Sequence, residues 1–188
     1  MSKTSYVIAL GSNRTHHRYG APRQVVAGAV AALGKIKGVK IVATAPIVAT
    51  AAVGPAGRSF ANTALVLRSR KNADELLAEL KILERSFGRR RGRRWGARVL
   101  DLDIILWSGG IWVSPGLAIP HPAYRQRRFV LDPVLHIAAD WRDPRDGLSI
   151  RQIRARLLRP KSVDHLQRCF YGSGLVRVRS SVGRASDF

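Results

Sequence analysis

The sequence predicts an α+β fold, in which helices pack against an antiparallel sheet. Three observations support this class. Segments with strand-like and helix-like periodicity follow one another in the order β-α-β-β-α-β. Turn-forming residues separate these segments from one another. Hydrophobic residues make up 46% of the 188 residues, which is enough for the core of one domain.

Four segments are predicted to be strands, because they are rich in β-branched residues or alternate between apolar and polar positions. In chain order they are "SYVIALGSN" (5–13), "GVKIVATAPIVAT" (38–50), "SFANTALVLRS" (59–69) and "RVLDLDIILW" (98–107). The second is expected to end near Thr50, and a Gly/Pro loop separates it from the third.

Two helices lie between these strands. Residues 21–34 have apolar residues at helical spacing, with Pro22 near the start and Gly34 just past the end. The second helix begins after Asn72, and Glu75 three positions later completes a capping box. The resulting order, β-α-β-β-α-β, is that of a ferredoxin-like core, an antiparallel sheet with both helices on one face.

The C-terminal part of the chain predicts extra helices and a tail. "FVLDPVLHIAAD" (129–140) and "LSIRQIRARL" (148–157) suit two short helices, the second capped by Ser149. From about residue 160 the periodicity fades into a basic segment rich in Gly and Ser. We therefore predict a domain over residues 1–159 and a basic, poorly ordered C-terminal tail over residues 160–188.

Composition restricts the classes of function. The net charge of +21 predicts attraction to nucleic acid, an anionic membrane or a polyphosphate ligand, and does not choose among them. A general basic bias of the proteome explains the charge equally well. The single cysteine, Cys169, excludes an internal disulfide framework. With no signal-peptide pattern and no apolar run long enough to span a membrane, we expect a cytoplasmic protein.

Two aspartates, Asp101 and Asp103, lie within the last predicted strand. Alternation places both carboxylates on one face of it, with Leu102 and Leu106 on the opposite face, toward the core. Carboxylates about 7 Å apart along a strand can converge on hard cations such as Mg²⁺. Ion pairs with nearby arginines are an equal alternative, because Asp-x-Asp is a short and common pattern.

The segment before these aspartates favours phosphoryl transfer. "ERSFGRRRGRRWGAR" (84–98) combines seven arginines with three glycines. Guanidinium groups grip phosphate oxygens, and glycines make a loop pliable. Trp95 in this segment is either an apolar lid or a packing anchor. His121 lies between two prolines that would fix its angle, although a lone histidine is a weak signal.

Four stretches, taken together and in order, resemble the hydroxymethyl-dihydropterin pyrophosphokinase family of folate biosynthesis. They are "VIALGSN", "VGPAGRSFANTALVL", "GRRRGRRWGARVLDLDIIL" and "IPHPAYRQRRFVLDPVLHIA", and the resemblance spans about residues 5–157. It implies a ferredoxin-like fold and Mg²⁺-dependent transfer of pyrophosphate from ATP to 6-hydroxymethyl-7,8-dihydropterin, with release of AMP. It also implies a monomer whose partners are small-molecule substrates, with neither nucleic acid nor membrane among them.

The resemblance also implies roles for individual residues. Asp101 and Asp103 match the aspartates that bind two Mg²⁺ ions. The loop residues would be Arg89 and Arg98 in the chemical step and Trp95 in the closing lid. The residues matching ATP contacts are Arg91, Ile104, His121 and Arg127. The residues matching pterin contacts are Thr50, Val53, Gly54, Phe60, Asn62 and Phe129.

Phe60 and Asn62 lie at i and i+2 of one predicted strand, so a stacking ring and an amide point the same way. This pair suits a flat heterocycle that is stacked on its face and hydrogen-bonded at its rim. Ala51 and Ala52 depart from the family pattern, which usually has prolines there, and predict a less rigid loop beside the pterin; the sequence leaves the effect on pterin affinity open.

An RNA-binding module is the alternative reading of the fold and charge, since RRM domains share the β-α-β-β-α-β order. Two features count against it. "SFANTALVL" lacks the aromatic-rich RNP1 pattern. Asp101 and Asp103 on an open face would also repel phosphates if no metal were bound.

Overall fold

The computed structural model describes residues 3–50, 60–88 and 99–159. The strands of this part are β1 (Thr4–Ser12), β2 (Val39–Thr44), β3 (Val48–Thr50), β4 (Phe60–Ser69), β5 (Asp101–Trp107), β6 (Trp112–Ser114) and β7 (Leu117–Ile119). The helices are α1 (Pro22–Leu33), α2 (Ala73–Ser86), α3 (Arg128–Ala138) and α4 (Ile150–Leu158), with a 3₁₀ turn at Tyr124–Gln126. The predicted α+β class with an antiparallel sheet is confirmed. None of the helices in these ranges is long and apolar enough to cross a membrane.

The main sheet has five strands, and all of its pairs are antiparallel. Its order is β2-β4-β1-β5, with β3 beside the start of β4. The segment predicted as one strand over residues 38–50 is therefore two strands, both paired with β4. Pro46 explains the interruption, since proline has no N–H to donate to the ladder.

Both faces of the sheet are buried. On one face, residues of α1 and α2 such as Val26 and Leu80 pack against Ile8 and Leu65. On the other face, Val134 of α3 and Ile153 of α4 belong to a second cluster with the sheet. The helices predicted over residues 129–157 are thus present, and they cover the face opposite α1 and α2.

A β-bulge in β5 changes the direction of its last residues. Ile104 lies opposite Ile8 and Leu106 opposite Val7, so Ile105 is an extra residue in β5. Leu106 consequently joins the α3/α4 cluster, and its predicted position on the Leu102 face is wrong. Asp101 and Asp103 precede the bulge and keep their predicted alternation.

The helix caps follow the sequence. Asn72 Oδ1 accepts the Glu75 backbone N–H at 2.9 Å, and Glu75 Oε2 accepts the Asn72 N–H at 2.8 Å. Ser149 caps α4 in the same way, with its Oγ 3.2 Å from the Gln152 backbone nitrogen. The hairpin formed by β6 and β7 has no counterpart in the predictions, because strands of three residues are too short to show periodicity.

Asp143 links two loop segments. It lies in the segment between α3 and α4 and contacts the 3₁₀ turn that precedes α3. Its buried carboxylate accepts hydrogen bonds from Tyr124 Oη at 2.6 Å, Arg125 Nε at 2.8 Å and the Arg145 guanidinium at 2.7 Å. Burial alone would raise the pKa of Asp143, but the hydrogen bonds from Arg145, Tyr124 and Arg125 outweigh it and hold the pKa well below the usual range.

We expect Asp143→Asn to lower the free energy of unfolding by about 1.5–3 kcal/mol at pH 7, the size of a hydrogen bond to a charged group. Because the folded-state pKa is depressed, this stabilisation is complete above the unfolded-state value of about 3.9 and is lost as the pH falls further. Urea unfolding of the wild type and of Asp143→Asn between pH 7 and pH 2 measures the difference in their free energies of unfolding, which should become smaller as the pH falls. Asp140→Asn is the control, since that side chain is 89% exposed. An equal effect of the two substitutions would contradict the role of Asp143.

Candidate active site

The sheet register places an amide and a carboxylate in one row. Gly11 of β1 lies opposite Asn62 of β4 on one side and opposite Asp101 of β5 on the other. Residues paired across adjacent strands share a face, so Asn62 and Asp101 project the same way with Gly11 between them. Two strand spacings separate them, about 10 Å. The next row on this face pairs Ala9 with Asp103. We call the surface of β1 between Asn62 and Asp101 the floor of the site; it carries only the small residues Gly11 and Ala9.

Gly11 is glycine for a steric reason. A Cβ at this position would lie 3.0 Å from Asn62 Oδ1, closer than ordinary contacts allow. Asn62 is only 7% exposed, so its amide has little space into which it could move. The absence of a side chain at Gly11 therefore leaves room for the Asn62 amide in its present position and keeps the surface between Asn62 and Asp101 open.

Phe60 begins β4, opposite Thr50 of β3, and alternation puts its ring on the same face as Asn62. Phe129 lies in the first turn of α3, which covers this same face, and is 46% exposed. The Arg127 guanidinium carbon lies 5.8 Å from the centre of the Phe129 ring. Phe60 thus lies on the carboxylate side of the sheet, and Phe129 belongs to a helix that covers that side.

His121 is anchored beside the carboxylates. Its backbone N–H donates to the Ile105 carbonyl oxygen at 3.0 Å, which ties the segment after β7 to β5. Its Nδ1 accepts the Ala123 N–H at 3.2 Å. The neutral ring therefore carries its proton on Nε2, which is left as a donor for a ligand.

The charges of this region act on one another. Burial raises the pKa of Asp103, and the negative charge of Asp101 raises it further, while His121, Lys81 and Arg127 act in the opposite direction. Burial likewise lowers the pKa of His121, against the raising effect of Asp103. Four predicted site residues are therefore close in space, namely Asp101, Asp103, His121 and Arg127. Lys81 lies with them, although no sequence motif marked it.

A cavity of about 450 Å³ lies along the edge of β5, within the usual size range for small-molecule sites. Asp103 and Lys81 supply its charged lining, His121 adds a polar ring, and Ile104 and Leu117 contribute apolar surface. It is bounded by α2, β5, the β6–β7 hairpin and the residues that follow the hairpin. Ile104, a predicted ATP contact, is thus in the same cavity as His121. The hairpin's share of the lining was missed, because no motif marks it.

Several predicted site residues lie outside the described part of the chain. They are Val53, Gly54, Arg89, Arg91, Trp95 and Arg98. Thr50 belongs to β3, but its side chain is also outside the description. Their assigned roles stay predictions.

The donor set of the described residues indicates which ion it can hold. No group of three or more His, Cys, Asp and Glu side chains in these ranges could enclose a metal. Two carboxylates suit Mg²⁺, which binds through one or two carboxylates and completes its shell with water and phosphate oxygens. Together with the neighbouring cations, this indicates the class: an α+β protein with a site for a phosphorylated small molecule.

Comparison with known proteins gives the particular family. Residues 7–139 match the model of the 7,8-dihydro-6-hydroxymethylpterin-pyrophosphokinase family. The chain is 36% identical over 147 residues to the 2-amino-4-hydroxy-6-hydroxymethyldihydropteridine pyrophosphokinase of Synechocystis sp., covering 78% of this chain and 73% of the relative. It is 34% identical to the Pseudomonas aeruginosa enzyme of that name (79% and 88% covered) and 35% identical to that of Bacillus subtilis (73% and 79%).

The chain therefore belongs to the 7,8-dihydro-6-hydroxymethylpterin-pyrophosphokinase family. The family predicted from the four sequence stretches is confirmed. The match ends at residue 139, so it includes Asn62, both aspartates, His121 and Arg127 and excludes the C-terminal tail.

We expect Asp103→Asn to raise the melting temperature in metal-free buffer at pH 7. The folded-state pKa of Asp103 is raised, so its ionised form costs stability above that pKa, and asparagine removes the cost. The difference should vanish below about pH 4, where the carboxyl is protonated in both folded and unfolded chains. Thermal unfolding in the presence of a chelator measures it, with Asp140→Asn as the exposed control. A lower melting temperature for Asp103→Asn at pH 7 would contradict the assignment of a net electrostatic cost.

Proposed function

We propose that this protein transfers pyrophosphate from ATP to the hydroxymethyl group of 6-hydroxymethyl-7,8-dihydropterin and releases AMP, a step of folate biosynthesis. The observation that carries the proposal is the row Asn62–Gly11–Asp101, in which an amide suited to a pterin rim shares one face with a carboxylate suited to a metal. Membership of the pyrophosphokinase family, and relatives named for this reaction, support the same conclusion.

Asp101 and Asp103 would hold the two Mg²⁺ ions that the resemblance implies. The fit rests on their shared face and on the cations nearby, which offset but do not cancel the cost of ionising Asp103. When bound, Mg²⁺ would neutralise the phosphate charge and lower the pKa of the attacking hydroxyl group. The protein's own part would be to hold the two carboxylates on one face of β5.

ATP would enter the cavity along β5. Ile104 and Leu117 offer apolar surface to the base, while His121 Nε2–H can donate to a phosphate oxygen. Lys81 and Arg127 add positive charge near Asp103. Arg91 is assigned to the phosphates, Arg89 and Arg98 to the chemical step, and Trp95 to the closing lid on the family resemblance.

The pterin would lie over the floor beside Gly11. Asn62 would hydrogen-bond the polar rim of the ring, and Phe60 and Phe129 would stack on its faces. Thr50, Val53 and Gly54 would contribute contacts from the neighbouring loop, as the resemblance implies. In this arrangement the hydroxymethyl group would point from the Asn62 side of the floor toward Asp101.

The finer description of the fold is also a proposal. The strand order β2-β4-β1-β5, with α1 and α2 on one face, supports a ferredoxin-like core extended by α3 and α4. The monomeric state, the cytoplasmic location, the absence of a nucleic-acid partner and the boundary near residue 159 stay predictions.

We expect Asp101→Asn and Asp103→Asn each to lower kcat by at least about 100-fold, because each removes a metal ligand from the site of charge development. The assay follows AMP release from ATP, Mg²⁺ and 6-hydroxymethyl-7,8-dihydropterin. Asp140→Asn, with the same change of charge at an exposed position, should keep wild-type turnover. Unchanged turnover in either site variant would remove the metal assignment, and ADP as the wild-type product would contradict pyrophosphate transfer.

We expect Gly11→Ala to raise the KM for the pterin by about 3- to 10-fold, the worth of one hydrogen bond. The new Cβ would displace the Asn62 amide, so the KM for ATP should change much less. Gly34→Ala is the matched control, since a Cβ there meets only ordinary contacts, the nearest at 3.6 Å. Steady-state kinetics with each substrate varied in turn measures both constants. An unchanged KM for the pterin in folded Gly11→Ala protein would show that the pterin does not bind beside Gly11 and Asn62.

A further inference from the structure

Glu84 is a fully buried carboxylate to which the reaction so far gives no part. It lies on α2 and is 0% exposed. Burying an ionised carboxylate costs several kcal/mol unless cations and hydrogen-bond donors compensate it. The groups that contact the Glu84 carboxylate therefore indicate why a glutamate is buried at this position.

One partner is the backbone between the two aspartates. Glu84 Oε1 accepts the Leu102 N–H at 2.9 Å, and Leu102 separates Asp101 from Asp103. β5 is the last strand of the sheet, with β1 on one side only, so this N–H faces away from the ladder. Glu84 thus supplies, from α2, the acceptor that a neighbouring strand would otherwise provide.

A second partner is Lys81, one turn earlier on α2. Its Nζ lies 3.1 Å from Oε1 and 3.0 Å from Oε2 of Glu84. Lys81 is 35% exposed and lines the cavity that also contains Asp103. The Glu84 carboxylate therefore connects α2 to the backbone of β5 at Leu102, between the two aspartates, and also contacts Lys81, a cation that lines the cavity.

We propose that Glu84 is a positioning residue for the metal site: by holding the Leu102 N–H, it fixes the position of β5 from which Asp101 and Asp103 reach the same ions. The reach of the side chain matters for this role more than its charge. The proposal rests on the assignment of the two aspartates to Mg²⁺. A purely structural role for Glu84 would instead lower stability without changing metal affinity.

Two conservative variants separate these possibilities. Glu84→Gln keeps the length and the acceptor oxygen for Leu102 but loses the charge, and Lys81 can turn toward solvent. Glu84→Asp keeps the charge but is one methylene shorter, which withdraws the carboxylate from the Leu102 N–H. We expect Glu84→Gln to stay within about threefold of wild-type metal affinity, and Glu84→Asp to lose about 10- to 100-fold, as supporting residues of metal sites do.

The measurement is Mn²⁺ binding by electron paramagnetic resonance in the presence of α,β-methylene-ATP, with melting temperatures recorded for every variant. Tyr6→Phe is the control for stability alone. It removes a buried hydroxyl that donates to the Lys71 carbonyl oxygen at 2.8 Å, and Tyr6 pairs with Trp107 at the end of β5 remote from the aspartates. Its Mn²⁺ affinity should equal that of the wild type even where its melting temperature falls.

The outcomes are distinct. Weak binding by Glu84→Asp with near-normal binding by Glu84→Gln supports positioning through Leu102. Wild-type affinity in Glu84→Asp, or an equal loss in Tyr6→Phe, overturns it. Asp103→Asn tests the metal assignment separately from the role of Glu84. If this substitution leaves Mn²⁺ binding as it is in the wild type, the aspartates do not bind the metal. The proposed role of Glu84 then fails as well.

Discussion

Two carboxylates held on one face of an edge strand are the constraint on which the rest of this structure depends. Asp101 and Asp103 repel each other, and burial adds to the cost of ionising Asp103. Lys81 of α2, together with His121 and Arg127 of the segment that leads into α3, reduces that cost without cancelling it. A divalent ion that arrives with a phosphorylated ligand would offset the cost that remains for Asp103.

The two faces of the sheet differ in what they carry: one is entirely core, and the other carries the candidate site as well as core. The face under α1 and α2 is a continuous apolar core. The opposite face is apolar only where α3 and α4 cover it, and toward the ends of β1, β4 and β5 it carries Asn62, Gly11 and Asp101. The segment that leads into α3 brings His121 and Arg127 to this end, and the Asp143 hydrogen bonds to Tyr124 and Arg125 fix that segment in place.

Features set by local sequence could be predicted, and features set by pairing between distant segments could not. The capping box at Asn72, the helix over residues 22–33 and the alternation of Asp101 and Asp103 all follow from neighbouring residues. The bulge at Ile105 depends on how β5 pairs with β1, nearly one hundred positions away. Lys81, Glu84 and Gly11 escaped notice because each has an ordinary local explanation, as a charged or buried helix residue or a turn glycine. The family resemblance singled out His121, Arg127 and Ile104, which no local pattern would have selected, and the structure places them beside the aspartates or in the same cavity. Their roles as ATP contacts stay predictions.

The central claim is that the two aspartates of β5 coordinate ions shared with a nucleotide's phosphates. A crystal structure with Mn²⁺ and α,β-methylene-ATP tests it most directly, because the anomalous signal locates the metal independently of the protein atoms. The account predicts anomalous peaks within about 2.0–2.3 Å of carboxylate oxygens of Asp101 and Asp103, in contact with phosphate oxygens. Carboxylates paired only with neighbouring arginines or lysines, with no anomalous peak between them and the nucleotide, would contradict it.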